Sequence, residues 1–263
     1  MDLSDFEGRS YGPVPWHVAV ESVADFVTLT GDDPDRWADC APPGLAAAAL
    51  FAVAPDLLAD LYDRSVVHGE QTFSWAGPIP IGALLEVSGE VNRVRERGGV
   101  FFITFEMTAS LGEDEVVSGR SMFLVSGEAL AAGTAGFERT EPPHSYRGEV
   151  SEGVVGASRD DLIRYASATR DWNPVHWDHD AAVAAGFPGV VVHGLLQAGW
   201  ALRAAASSTS GEHPFADARF RFRNPLLPAR PARISAEPRD GSIDVVIADD
   251  DVEYLTATVT LNE

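Results

Sequence analysis

The sequence contains no lysine, and all 19 of its basic side chains are arginine. That excludes Schiff-base chemistry and a lysine general base, whatever the fold. Cysteine is almost absent as well. Cys40 stands alone, so neither an internal disulfide nor a thiolate metal cluster can form. Positive charge is outnumbered by 40 acidic residues, and a formal net charge of −21 argues against nucleic acid or an anionic membrane as a partner. The longest apolar run, GLAAAALFAVA at 44–54, falls far short of a membrane span. The opening MDLSDFEGRS lacks the basic-then-apolar order of a signal peptide. The expectation is a soluble, cytoplasmic protein.

What remains is a chain of 263 residues, 45% apolar, long enough for one large domain or two of ordinary size. EALAAGTAGFERTEPPHSYRGEV, residues 128–150, is rich in Gly, Pro and charge, shows no periodicity and reads as a linker. The stretches on either side repeat one order of elements. Each opens with a short helix, VADFVTLT or DDLIRYASAT, followed by a polar turn, GDDPD at 31–35 or RDWNPVH at 170–176. An apolar helix comes next, GLAAAALFAVA from Gly44 or GLLQAGWALRAAA from Gly194. Strand-like runs rich in β-branched and aromatic residues close each half. EQTFSWAGPIPIGALLEV (70–87) can be laid on ARFRFRNPLLPARPARI (218–234), with Phe73 over Phe220, Trp75 over Phe222 and Pro78 over Pro225. VFFITFEMTAS and VVSGRSMFLVSG then mirror SIDVVIA and VEYLTATVTL. Each half reads as one long buried helix wrapped by an antiparallel sheet, and the order points to duplication.

The turn in the second half carries the chemistry. Pro174 fixes its own φ and pushes Asn173 out of the helical region, so Asp171 and His176 sit on a rigid turn rather than a helix. Such a turn can aim both at one water as a general acid/base unit. Equally, Asp171 could be a helix cap and His176 a satisfied turn histidine; residue types alone leave both open. Asn173 can hold the turn by bonding nearby backbone. His176, Asp178, His179, Asp180 and His193 lack the helical two-His spacing of the zincins and the HxHxDH order of the metallo-β-lactamases, so no metal is expected, and Asp178 or Asp180 reads as the cap of DAAVAAG. His193 and Gly194 open the second apolar helix, whose free first-turn N–H groups can bind a developing oxyanion.

YASATRDWNPVHWDHDAAVAAGFPGVVVHG resembles the hydratase-2 motif of the MaoC-like (R)-specific enoyl-CoA hydratases and dehydratases. The matching positions are Tyr165, Ala166, Thr169, Asp171, Asn173, Pro174, His176, Asp178, Gly186, Phe187, His193 and Gly194. TGDDP, APPGL and VHGEQTF resemble the N-terminal dehydratase module that often precedes that motif. The resemblance implies an α+β double hotdog: a degenerate N-terminal hotdog over 1–127, the linker 128–150, and a catalytic MaoC-like hotdog over 151–263. It implies reversible addition of water to a trans-2-enoyl thioester of CoA or a carrier protein, with no cofactor. Asp171, His176 and Asn173 would form the catalytic turn, and Gly194 and His193 the thioester-binding, oxyanion-stabilising element. The oligomeric state stays open between a lone chain and a homo- or hetero-oligomer.

Four features qualify this expectation. The first half has Asp32 and Asp33 but no histidine at the place of His176, and Pro43 lies where His193 would, so one site per chain is expected. His68 is a further candidate, as a functional or a structural histidine. Arg170 stands where the family usually has glycine; it could pair with Asp171 and weaken it as a base, or point outward toward a carrier phosphate. Arg219, Arg221 and Arg223 alternate along a strand and share a face. With Arg230 and Arg233 they could bind phosphate or form a solvated surface. A polyketide or steroid-derived thioester dehydratase or cyclase, and a non-catalytic acyl-binding partner, remain as rival functions.

Overall fold

Period-two alternation along the strands and all-round apolarity in two helices set the architecture. A computed structural model describes residues 2–61, 64–129 and 148–262. In the first half, β1 (Ser10–His17) leads into α1 (Val20–Thr30), β2 (Cys40–Ala41) and α2 (Ala46–Ala59). Then follow β3 (Arg64–Trp75), β4 (Ile79–Pro80), β5 (Leu84–Arg97), β6 (Val100–Leu111) and β7 (Asp114–Ala129). The second half begins with β8 (Glu149–Val150) and β9 (Val154–Gly156), then α3 (Arg159–Thr169), α4 (His179–Ala184) and α5 (Gly194–Ala206). It closes with β10 (Phe215–Phe222), β11 (Ala232–Arg239), β12 (Ser242–Ala248) and β13 (Glu253–Leu261).

One antiparallel sheet runs β1-β5-β6-β7-β3-β10-β13-β12-β11-β9-β8, beside a β2–β4 ribbon. The halves meet where β3 pairs with β10, Phe73 opposite Ala218 and Gln71 opposite Phe220. Outward from that seam the orders match: β3-β7-β6-β5 on one side, β10-β13-β12-β11 on the other. This is a double hotdog, and its repeat follows the duplication legible in the sequence. At the two ends of the stretch 128–150, β7 extends to Ala129, opposite Arg64, and β8 begins at Glu149. The remainder, residues 130–147, lies outside the described residues.

Burial in β6 alternates strictly from Ile103 to Ala109, which turns those side chains onto the core. Helix α2 packs over β1, β5 and β6, and α5 over β11, β12 and β13. The 3₁₀ turn that leads into α2 meets the middle of α5 through glycines. A Cβ on Gly44 would lie 3.2 Å from the Gly199 Cα and 2.9 Å from Cζ of Phe26, so only glycine allows this spacing. Trp200, fully buried, donates from its indole N–H to the Leu29 carbonyl at 3.0 Å and ties α5 to α1. Among the described residues, no helix is long and apolar enough to cross a membrane.

Candidate active site

Helix α3 starts with a reciprocal cap: Ser158 Oγ accepts from the Asp161 N–H at 3.2 Å, and Asp161 Oδ2 accepts from the Ser158 N–H at 2.8 Å. It ends at Arg170, whose φ of 66° is left-handed. The equivalent helix α1 ends at Gly31 with φ 65°, so the two halves turn the chain in the same way. Glycine adopts that conformation freely, whereas arginine holds it at a cost. The turn carries the chain inward, and Asp171 is only 4% exposed. The Asn173 N–H bonds Asp171 Oδ1 at 3.4 Å, and Asn173 Oδ1 accepts from the Val175 N–H at 3.3 Å. Pro174 then opens a 3₁₀ turn to His176. Asn173 therefore shapes the turn, as its residue type suggested.

His176 Nδ1 lies 2.9 Å from the Val191 carbonyl. A carbonyl only accepts, so Nδ1 carries the proton and Nε2 of the neutral ring keeps its lone pair. That lone pair faces Asp171 Oδ2 at 4.0 Å, too far for a direct hydrogen bond but near enough for one oxygen atom to touch both. Burial pushes the Asp171 carboxyl up to about 7, against the opposing pull of the Asn173 N–H. Burial also draws His176 down to about 4, despite its bond to Val191. Near neutrality the pair is thus a neutral imidazole beside a carboxyl balanced between its two forms.

His193 sits behind this pair. Its ring stacks on His176 at 3.8 Å with planes 26° apart, and its Nε2 donates to the Asp171 carbonyl at 3.2 Å. It is fully buried against Tyr165 and does not line the cavity, so its ring braces the turn rather than meeting a thioester. Asp171, His176 and His193 offer ligand atoms within 4.8 Å of one another. An imidazole binds a metal in its ring plane, and planes stacked this nearly parallel do not converge on one ion near both rings. Gly194 does line the cavity, at the first turn of α5, which has no side-chain cap. A Cβ there would lie 3.0 Å from the Phe222 ring.

The cavity lies between the halves. Phe51 and Leu58 of α2 and Phe123 of β7 face Leu195 of α5 and Phe222 of β10, with Asp171 and His176 among them. A groove sharing Phe51, Leu58, Asp171 and Asn173 opens past Pro55, Trp172 and Arg170. Arg170 is exposed, and the Asp171 carboxyl is shifted by burial and, in the opposite sense, by the Asn173 N–H.

The arginine row divides. Arg219 and Arg221 lie on the sheet face opposite the buried Phe220, and both meet Glu70 of β3, at 2.7 and 3.3 Å. They are not at the cavity. Arg223, just beyond β10, lines it alone of the three, and Arg233 pairs with Asp250 at 2.8 Å. The apolar alternation Ala218, Phe220, Phe222 already marked the helix side, which leaves the arginines outward. In the first half the polar turn has become a brace: Arg36 donates to the Ala206 carbonyl at 2.6 Å and the Gly211 carbonyl at 2.9 Å, clasping the end of α5. Asp178 caps α4 through bonds from the Asp180 and Ala181 N–H groups. Gln197 lines the cavity too and was missed in the sequence, although an amide inside GLLQAGWAL was the available signal.

Fold and site together define a double-hotdog protein with, among the described residues, one buried Asp–His pair. The family model described as "MaoC like domain" matches residues 139–253. The second half of the chain thus carries a MaoC-like domain. It is 26% identical over 200 residues to 3-hydroxyacyl-thioester dehydratase X of Mycobacterium tuberculosis, covering 73% of this chain and 68% of that protein. It is 24% identical over 177 residues to the peroxisomal multifunctional enzyme type 2 of Drosophila melanogaster, covering 65% of this chain but only 29% of that one. A solved structure named "MaoC-like dehydratase" shares the fold with a TM-score of 0.78 at 20% identity, over 99% of both chains.

Proposed function

We propose that the chain is an (R)-specific enoyl-thioester hydratase, acting in reverse as a 3-hydroxyacyl-thioester dehydratase. The observation that carries this reading is the neutral Nε2 of His176 facing Asp171 Oδ2 at 4.0 Å inside an apolar cavity. A water touching both groups gives one proton to Nε2 as its oxygen bonds C3 of the enoyl chain. The protonated Asp171 carboxyl delivers its proton to C2, which leaves carboxylate beside imidazolium. Transfer of the proton from His176 back to Asp171 restores the pair, so atoms and charge balance. The free Gly194 N–H at the start of α5 would polarise the thioester carbonyl. The buried Asp171 carboxyl facing His176 in an apolar-lined cavity supports acid/base chemistry over simple binding of acyl chains, as do the names of the relatives.

The test is direct. Crotonyl-CoA and longer trans-2-enoyl-CoA thioesters should lose their conjugated absorbance when the purified chain is added; a panel of CoA and carrier-protein substrates left unchanged would overturn the reading.

Arg170 is expected to be a stability cost without being a block. Arg170→Gly should raise the free energy of unfolding by about 1–2 kcal/mol, since it removes a left-handed non-glycine residue. Paired thermal melts and hydration assays check this. A large gain in turnover would instead mark the arginine as inhibitory.

A further inference from the structure

The proton transfers use Asp171 and His176, yet the same cavity holds two other polar atoms that they leave idle. Gln197, 3% exposed, places its Oε1 where no hydrogen-bond partner exists among the described residues. His68 does the same with Nε2. The two come from opposite halves, Gln197 one turn beyond Gly194 on α5 and His68 on β3, and both line the cavity. The His68 ring is flanked by Phe123 at 4.9 Å and Phe222 at 5.0 Å. A plain alkyl chain would fill this apolar space and leave both polar atoms dry, which costs free energy.

The chemistry of the two atoms narrows the missing group. Burial draws His68 down to about 4, so its ring is neutral at working pH and offers no charge to an anion. Gln197 Oε1 only accepts, and it repels carboxylate. A hydroxyl answers both: it donates its one proton to Gln197 Oε1 and accepts from Nε2–H of His68 in the tautomer that carries the proton there. We propose that Gln197 and His68 form a hydroxyl-binding pair, and that the acyl group carries a hydroxyl in addition to the one gained or lost at C3. This rests on the reading of the cavity as an acyl-thioester site, and it makes both side chains specificity residues that touch substrate.

Binding measured without turnover separates the two readings. Octanoyl-CoA and a series of octanoyl-CoA thioesters bearing one hydroxyl at successive carbons beyond C3 would be titrated calorimetrically into the full chain. One isomer should bind roughly tenfold more tightly than the plain chain, the scale of one or two net hydrogen bonds. Gln197→Leu and His68→Phe should each erase most of that preference, with circular dichroism confirming the fold. Equal affinities for plain and hydroxylated chains in the wild-type protein, or no binding of either, overturn the proposal without recourse to any variant. If both variants weaken plain and hydroxylated chains alike, the atoms serve the pantetheine amides instead and the proposal also fails. A hydroxyl preference in a protein that hydrates no enoyl thioester would sink the hydratase reading and leave this one standing.

Discussion

Asp171→Asn and His176→Ala are each expected to lower kcat for enoyl-thioester hydration by roughly 10²–10⁴, the usual contribution of a positioned acid or base. The reason lies in the geometry. Asparagine keeps a side-chain oxygen able to accept the Asn173 N–H, which spans 3.4 Å here, so the turn survives while the transferable proton is gone. Alanine at 176 removes the Nε2 lone pair and also the bond that fixes the ring to Val191. Since the two groups act as one unit, the double variant should lose little more than either single one. KM should move far less than kcat, because neither group grips the acyl chain. Steady-state kinetics on folded variants checks all three statements. Additive losses, or a loss confined to KM, would mean that the pair binds substrate and does not handle its protons.

The second large effect concerns pH. Hydration begins with the proton on Asp171 and none on Nε2 of His176; dehydration begins with that proton moved to His176. Both states hold one proton on the pair, so the two directions share one pH window. With Asp171 at about 7 and His176 at about 4, that proton is present between those limits. Below about 4 a second proton occupies Nε2 and stops it accepting from water; above about 7 Asp171 loses its proton and has none to give. The rate should therefore be flat between the limits and fall by roughly tenfold per pH unit outside them. Stopped-flow rates across the range check this. A rate that keeps rising above neutrality would show that an ionised Asp171 is the working form.

Much of this was legible in the residues. Pro174 dictates the turn that turns Asp171 toward His176, and Phe73 and Phe220 marked the corresponding strands β3 and β10 that meet at the seam. The apolar run from Gly194 gave α5 at its observed bounds. What escaped depends on contacts between elements far apart in sequence. The ring of His193 is behind His176 only because α5 enters where it does, so a motif position alone could not separate a brace from a thioester contact. His68 and Gln197 share a cavity because α5 and β3 come from different halves. Glu70, which meets Arg219 and Arg221, is opposite Arg221 only once β3 and β10 pair. Arg170 appeared as a charge next to a catalytic acid, but the structure makes it a backbone matter: an exposed side chain on a left-handed residue.

The most direct measurement is the configuration of the 3-hydroxyacyl-CoA formed from a trans-2-enoyl-CoA by the wild-type chain and by Asp171→Asn. Water held by one buried pair reaches only one face of the double bond. The wild-type chain should give the (3R) product alone, and the variant almost none. A racemic product, or equal yields from both proteins, would contradict the assignment of hydration to Asp171 and His176, and a (3S) product would contradict the (R)-specific reading.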